Sequence, residues 1–286
     1  MQFSILPLFL SIIPMFCWGT MDFLSGRLSR KENPLVGVFI VHILSILISL
    51  PLLIFNQLNL SNLPAFFLIS VLPLLSWVLF MKAAKMTDIS VIGPVSRTDL
   101  LASSSLGIIF LGESVTMFKI LGILLVFAGG VMISFDWSKL KELKKVEFMR
   151  GVPWAFLGAM CLGTQLFFMA PMSRNSDWFS VSLIIRSIVA LYLFLMLAGK
   201  KQTGEILKSK IPMKLMFAIA FVDVIALGVY NFAVTTFEVS FVSVIASCAA
   251  LVTIILARII LKEKLHRLQQ VGAVLIIAGI IGLQIY

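Results

Sequence analysis

Long apolar runs separated by short polar segments dominate the chain. A helix needs about 20 apolar residues to cross a hydrocarbon core. On that measure the runs predict ten membrane spans, near 3–24, 35–55, 63–84, 90–111, 117–135, 151–171, 178–199, 212–235, 240–261 and 267–286. Pro14, Pro73, Pro94 and Pro171 fall inside these runs. A bundle tolerates such prolines because its neighbours re-satisfy the freed carbonyls, so they are expected to mark bends rather than ends.

The pattern repeats. Leu111–Phe135 returns 150 positions later as Leu261–Ile285, with Glu113 matching Glu263, Gly122 matching Gly272, Ala128 matching Ala278 and Gly129 matching Gly279. The register continues backwards through Leu101 and Leu251, Ser90 and Ser240, and Ala83 and Ala233, with Asp88 against Glu238. Nearer the start of each half the offset is 144: Cys17, Gly19 and Thr20 match Cys161, Gly163 and Thr164, and Ser29-Arg30 matches Ser173-Arg174. The change of offset fits the loop after the second span, which is longer in the second half. A duplication of this extent implies two homologous units. The expected division is a first five-helix repeat over 1–135, a basic linker over 136–150 and a second five-helix repeat over 151–286. An odd number of spans per repeat forces the two repeats into opposite orientations, the inverted plan of secondary transporters with a site near the midplane.

Composition sharpens the class. Hydrophobic residues make up 60% of the chain and charged residues 13%, where a soluble domain carries about a quarter. The fold class expected is therefore all-α integral membrane. The net charge of +10 resides almost wholly in segments between apolar runs, where Lys and Arg set orientation, so nucleic acid is not the partner indicated. The lipid bilayer is. Loops after the odd-numbered spans carry nearly all the cations, and the other side has only Lys119 and Arg174. That asymmetry places the basic side in the cytoplasm and both termini outside. The linker alternates basic residues with Leu140, Leu143 and Phe148, a pattern suited to a helix at anionic headgroups and equally to a solvated connector. Cys17, Cys161 and Cys248 lie inside apolar runs without metal-ligand spacing and read as packing residues. The first apolar run lacks a preceding Lys or Arg and has a counterpart in the second half, so it is expected to be a retained helix.

Ionisable groups near mid-span carry the functional information, because each is costly in hydrocarbon and turns toward a partner or a cavity. His42, Arg97, Asp99, Arg186 and Asp223 qualify. His42 and Arg186 are equivalent at the offset of 144, which puts a basic group in each half and favours cargo with an anionic or carboxylate group. Pairing of Arg186 with Asp223 or Asp99 as a helix lock is an equal expectation. His42 is also a candidate for proton coupling, its ordinary pKa lying near neutrality. Arg97 and Asp99 are about 200° apart on a helical wheel, so one is expected to face the pathway and the other a neighbouring helix. Asp22 is a further proton-acceptor candidate, against an interfacial ion pair with Arg27 or Arg30. Tyr230, Asn231, Thr164 and Gln165 add hydrogen-bonding groups that serve a cavity or helix contacts alike. Glu113 and Glu263 precede the last span of each repeat, where free amides favour an acid. Gly122 with Gly129, and Gly272 with Gly279, lie seven apart on one helix face and predict close packing of the fifth and tenth spans.

In this order and spacing the motifs resemble the drug/metabolite transporter superfamily, in its EamA-like branch of ten-helix proteins. The resemblance rests on Trp18-Gly19 with Asp22-Phe23-Leu24, on Pro94, and on Gly112-Glu113 through Gly122 to Ala128-Gly129 with its second copy. Two departures are visible: His42 stands where an Arg is common, and Lys262 replaces the glycine of the second Gly-Glu turn. The resemblance implies a transporter of small metabolites. The expected function is secondary transport of an amino acid or related compound, by export coupled to protons, in a multi-pass inner-membrane protein that is a monomer or homodimer. Neither a metal nor an organic cofactor is expected. No nucleotide-binding loop is present to supply ATP drive. The competing expectation within the class is a sugar or nucleoside uptake permease. From other classes, a transport-inactive scaffold or an integral-membrane enzyme competes, the latter without an H-E-x-x-H or G-x-S-x-G motif.

Overall fold

The computed structural model describes residues 5–25, 33–86, 95–134, 145–208, 212–260, 262 and 266–284. Among these, every regular element is helical. In chain order they are α1 (Ile5–Ser25), α2 (Pro34–Ser49) with a 3-10 turn (Leu50–Ile54), α3 (Leu63–Ala84), α4 (Asp99–Leu111), α5 (Met117–Ser134), α6 (Lys145–Asn175), α7 (Trp178–Gly199), the short α8 (Gly204–Lys208), α9 (Met213–Thr236), α10 (Val239–Ala246), α11 (Ala249–Ile260) and α12 (Arg267–Gln284). Eight helical stretches are long and apolar enough to cross a membrane, one of them Val239–Ile260 taken across α10 and α11; α4 and α12 are shorter apolar helices.

Local chemistry sets several of the boundaries. Asn33 caps α2 by accepting from the Leu35 amide at 3.0 Å, with Pro34 in the first helical turn. Asp177 accepts from the Ser180 amide at 2.7 Å and starts α7. Gly112 ends α4 at φ 65, the left-handed conformation that glycine adopts without strain. The equivalent residue in the second half, Lys262, holds nearly the same conformation, φ 56, despite its side chain.

Pro14, Pro73 and Pro171 lie inside unbroken helices, as does Pro153, whereas the interruptions fall at 97–98 and 247–248, where the sequence has neither proline nor glycine. Pro94 lies outside the described residues. Of the linker expected over 136–150, residues 145–150 are described and are helical, the start of α6, which runs to Asn175.

The helices pack in equivalent couples. α1 rests on α9 and α11 of the second half, and α6 rests on α3 and α4 of the first; α2 touches α9 as α7 touches α3. Two contacts join a helix to its own counterpart, α2 with α7 and α5 with α12, and α4 also meets α10 of the other half. The α5–α12 contact is the closest-fitting of these. In it, Gly122 faces Gly279 and Gly129 faces Gly272, so α5 and α12 run antiparallel. A Cβ at Gly129 would stand 2.5 Å from the Gly272 carbonyl oxygen, which explains why the approach requires glycine. The outer surface is apolar, with Leu68 74% exposed and Phe55 83% exposed, a surface made for lipid rather than water.

Candidate functional site

The two helix interruptions occupy equivalent positions, 97–98 and 247–248, at the offset of 150. Helical backbone stands on both sides of each, and the turns are closed by main-chain bonds such as Thr98 N–H to the Val95 carbonyl and Cys248 N–H to the Ile245 carbonyl. Such breaks at membrane depth are tolerated where protein surrounds them or a cavity meets them, and they mark binding regions in transporters. Space for each break is made by a glycine of the other half. Gly19 of α1 lies against Ala249, where a Cβ would come 2.5 Å from the Ala249 carbonyl oxygen. Its counterpart Gly163 of α6 lies against Asp99 and Ala102 in the same way. Thr253 ties the first contact by donating to the Gly19 carbonyl at 2.9 Å.

Arg97 sits in the first interruption and reaches the second. Its Nη1 donates to the Ser247 carbonyl at 3.2 Å, and its Nη2 to the Ser96 hydroxyl at 3.3 Å. The aliphatic stem lies over Gly130 of α5. Asp99 is buried as the first residue of α4, with Oδ1 accepting from the Leu100 amide at 2.7 Å. Asp22, exposed near the end of α1, is within electrostatic reach of both Arg97 and Asp99. Of the two, Arg97 bonds a neighbouring span, at Ser247, and Asp99 bonds the amide that follows it in its own helix. Arg27 and Arg30, the sequence-based partners for Asp22, lie outside the described residues.

The remaining mid-span groups form a second set between α2, α7 and α9. Arg186 is 2% exposed and donates through Nη2 to Asp223, at 2.8 Å to Oδ2 and 2.7 Å to the main-chain carbonyl. His42 senses both charges, and its Nδ1 stands 2.9 Å from the Val38 carbonyl. If that nitrogen carries the proton, Nε2 is left as an acceptor. Cys17 of α1 also lies near Asp223, so α1 borders both charged sets, one along Cys17 and the other along Asp22. Trp18 stands between them, its ring 5.5 Å from that of Tyr230. Tyr230 itself donates to the Leu166 carbonyl at 3.0 Å and pairs with Ser243 at 2.8 Å, while Asn231 donates to Ser182 at 2.8 Å. Gln165 is buried in α6.

A cavity of about 600 Å³ opens elsewhere, between α3 and α6, with Ala65, Leu68, Leu72, Thr164, Phe168 and Pro171 in its walls. None of the charged candidates lines it, so Thr164 belongs with this apolar cleft rather than with the charged sets.

Glu113 departs from its expected role. It does not cap its own helix; its carboxylate accepts from the amides of Val239 and Ser240 and from the Ser240 hydroxyl, and so caps α10 of the other half. Glu263 lies outside the described residues. Lys119, which reads in sequence as a cation on the sparsely charged side, is 2% exposed and bonded to Glu238. Neither Lys119 nor Glu238 stands out in sequence, although Glu238 is the counterpart of Asp88, and a preserved acid at a helix start was the available signal. The glycines of the repeat motif, Gly122, Gly129, Gly272 and Gly279, serve the α5–α12 contact and take no part in the charged sets.

Comparison with known proteins supplies the class. The model of the EamA-like transporter family matches the chain twice, over residues 5–135 and 149–284. A solved crystal structure of a protein superposes with a TM-score of 0.82 over 96% of this chain and 95% of its own, at 12% sequence identity, and so speaks to the fold alone. No curated protein matches the chain by sequence.

Proposed function

The chain belongs to the EamA-like transporter family, a multi-pass membrane family of the drug/metabolite transporter superfamily, and from that premise we propose that it is a secondary transporter exporting an amino acid or related small polar metabolite. The working architecture is ten spans in two inverted five-helix repeats, with the described α4 as the visible part of the fourth span and α10–α11 as the ninth. The antiparallel contact of α5 with its counterpart α12 supports this plan, since opposed repeats bring equivalent helices together in opposite directions.

One observation carries the functional reading: two mixed-charge sets, Asp22–Arg97–Asp99 and His42–Arg186–Asp223, flank α1 where the two halves meet. Charges held at membrane depth against an interrupted helix are suited to a polar cargo, and rocking of one repeat against the other would expose them to each side in turn. Proton coupling through Asp22 or His42 is the proposed drive, and the inner membrane the proposed location, with the basic loops in the cytoplasm.

The test is reconstitution in liposomes with a panel of labelled amino acids, sugars and nucleosides, with and without an imposed pH gradient. Gradient-dependent movement of an amino acid is the expected result. Transport of sugars or nucleosides alone would assign the uptake permease instead, and transport of none, with thermal stability unchanged across the panel, would assign a scaffold. A cysteine added after Tyr286 and probed with an impermeant reagent reads the topology; labelling only after permeabilisation would overturn the placement of the termini outside.

A further inference from the structure

α3 and α6 lie antiparallel and part along their length. At one end they touch: a Cβ on Gly158 would stand 3.3 Å from the Ser76 carbonyl oxygen, and Lys82 Nζ sits 3.2 Å from the centre of the Trp154 ring. Toward the other end they diverge around a cavity of about 600 Å³. Its lining runs from Asn62, just before α3, to Leu72, and from Ser176, just past α6, back to Thr164. At 1.5 Å per residue these stretches are about 15 and 18 Å long. That is the depth of one leaflet, half of a hydrocarbon core about 30 Å thick.

The groove is apolar along its length and opens sideways. Ile69 and Met172 form a buried floor, and Leu68 and Phe168 form exposed lips that continue the lipid-facing surface. Polar side chains are confined to the mouth, at Asn62, Asn175 and Ser176, and to Thr164 at the deep end. Asn62 donates to the Ser176 hydroxyl at 3.5 Å. Among the described residues no charged side chain lines the groove, and the neighbouring Arg174 donates to the Val234 and Phe237 carbonyls at 2.9 and 3.1 Å. Both walls, and the connectors 55–62 and 176–177 at the open end, are described residues.

We propose that this groove is a binding site for a zwitterionic phospholipid, with one acyl chain laid between α3 and α6, its end near Thr164 and the headgroup at Asn62, Asn175 and Ser176. An empty recess would forfeit the dispersion contacts of its walls, and water finds no partners on Leu68, Leu72 and Phe168. A flexible chain follows the narrowing groove to its closed end, where a helix of a second copy, about 10 Å across, cannot enter. Amide and hydroxyl groups at the mouth offer hydrogen bonds to a phosphate without the cations that would select an anionic lipid.

The test is native mass spectrometry of the full-length protein, delipidated in detergent and titrated with phosphatidylcholine. One lipid per chain is expected to bind saturably and ahead of the rest. A65W, which fills the mouth, and T164F, which fills the deep end, should each weaken that first binding by about tenfold or more, the equivalent of ~1.4 kcal/mol. L195W, on the lipid-facing side of α7, should leave it unchanged. T164F carries the result should A65W fail to fold. Single-chain lysophosphatidylcholine should bind as the two-chain lipid does, since one chain enters the groove. Unchanged binding in folded A65W or T164F overturns the proposal. So does tighter binding of phosphatidylglycerol than of phosphatidylcholine, or a lipid-free dimer that A65W dissociates, which would give the groove to a second copy of the chain.

Discussion

Arg97 donates to the carbonyl of Ser247, and Ser247 is the residue that holds Arg97's own place in the second half. The two interruptions are therefore joined by a side chain that only one of them has. A guanidinium at a carbonyl freed by a helix break provides the charge and the donor that a bound cation would otherwise supply. The bond also fixes how far the two broken spans can separate while it lasts.

Removing it should be measurable in stability as well as in transport. Arg97→Ala leaves the Ser247 carbonyl without this donor and is expected to cost about 1–3 kcal/mol, read as a lower unfolding temperature in detergent. Transport should fall at least about tenfold, the equivalent of ~1.4 kcal/mol. A variant with unaltered stability and transport would show that the bond is incidental.

The Arg186–Asp223 pair separates a lock from a cargo site. Arg186→Ala strands the Asp223 carboxylate, whose side chain is 20% exposed, and is expected to destabilise the fold by about 1–3 kcal/mol, while the apolar double substitution Arg186→Met with Asp223→Leu should recover most of that loss. Unfolding temperature gives the first comparison. Transport by the recovered double variant gives the second: activity near the parent level identifies a lock, and its absence in a stable protein identifies contact with cargo.

Close packing of α5 on α12 predicts a steep response to size. Gly129→Ala places a methyl group against the Gly272 carbonyl and should cost about 1–3 kcal/mol by overpacking; Gly129→Leu should abolish the folded species in size-exclusion chromatography. Gly130→Ala, whose added Cβ would stand 3.4 Å from the Arg97 stem, should be far milder. Equal effects at the two positions would refute the packing account.

Lys262 and Gly112 hold one left-handed conformation with opposite side-chain cost. A residue with a Cβ there loses about 1–2 kcal/mol, so Lys262→Gly is expected to raise stability by about 1 kcal/mol and Gly112→Ala to lower it by a similar amount. Thermal unfolding of the two variants checks the opposed signs.

Much of the architecture was legible because it depends on local quantities. Apolar run length located the helices, and the seven-residue spacing of Gly122 with Gly129 and of Gly272 with Gly279 identified the face on which α5 and α12 meet. The interruptions were not legible, since residues 97–98 and 247–248 are neither proline nor glycine, and the polar run Ser96-Arg97-Thr98-Asp99 reads as charges on a helix as readily as a break in one. Lys119 was misread for a different reason: three residues into a helix beside a loop, it looks like any interfacial cation, and its partner Glu238 stands in the other half of the chain. Glu113 shows the same limit, being a cap for a helix that only the tertiary structure brings within reach.

The glycine contacts have a consequence for ancestry. Gly122 meets Gly279 as Gly272 meets Gly129, and Gly19 meets Ala249 as Gly163 meets Asp99. Each contact is one surface meeting its own copy, the relation that defines a homodimer interface. Such a surface would suit a half-length polypeptide paired with itself in antiparallel fashion, in which every substitution is felt twice and no residue can differ from its partner. A single chain is free of that constraint, and it is what permits Arg97 opposite Ser247 and Lys119 opposite Gln269.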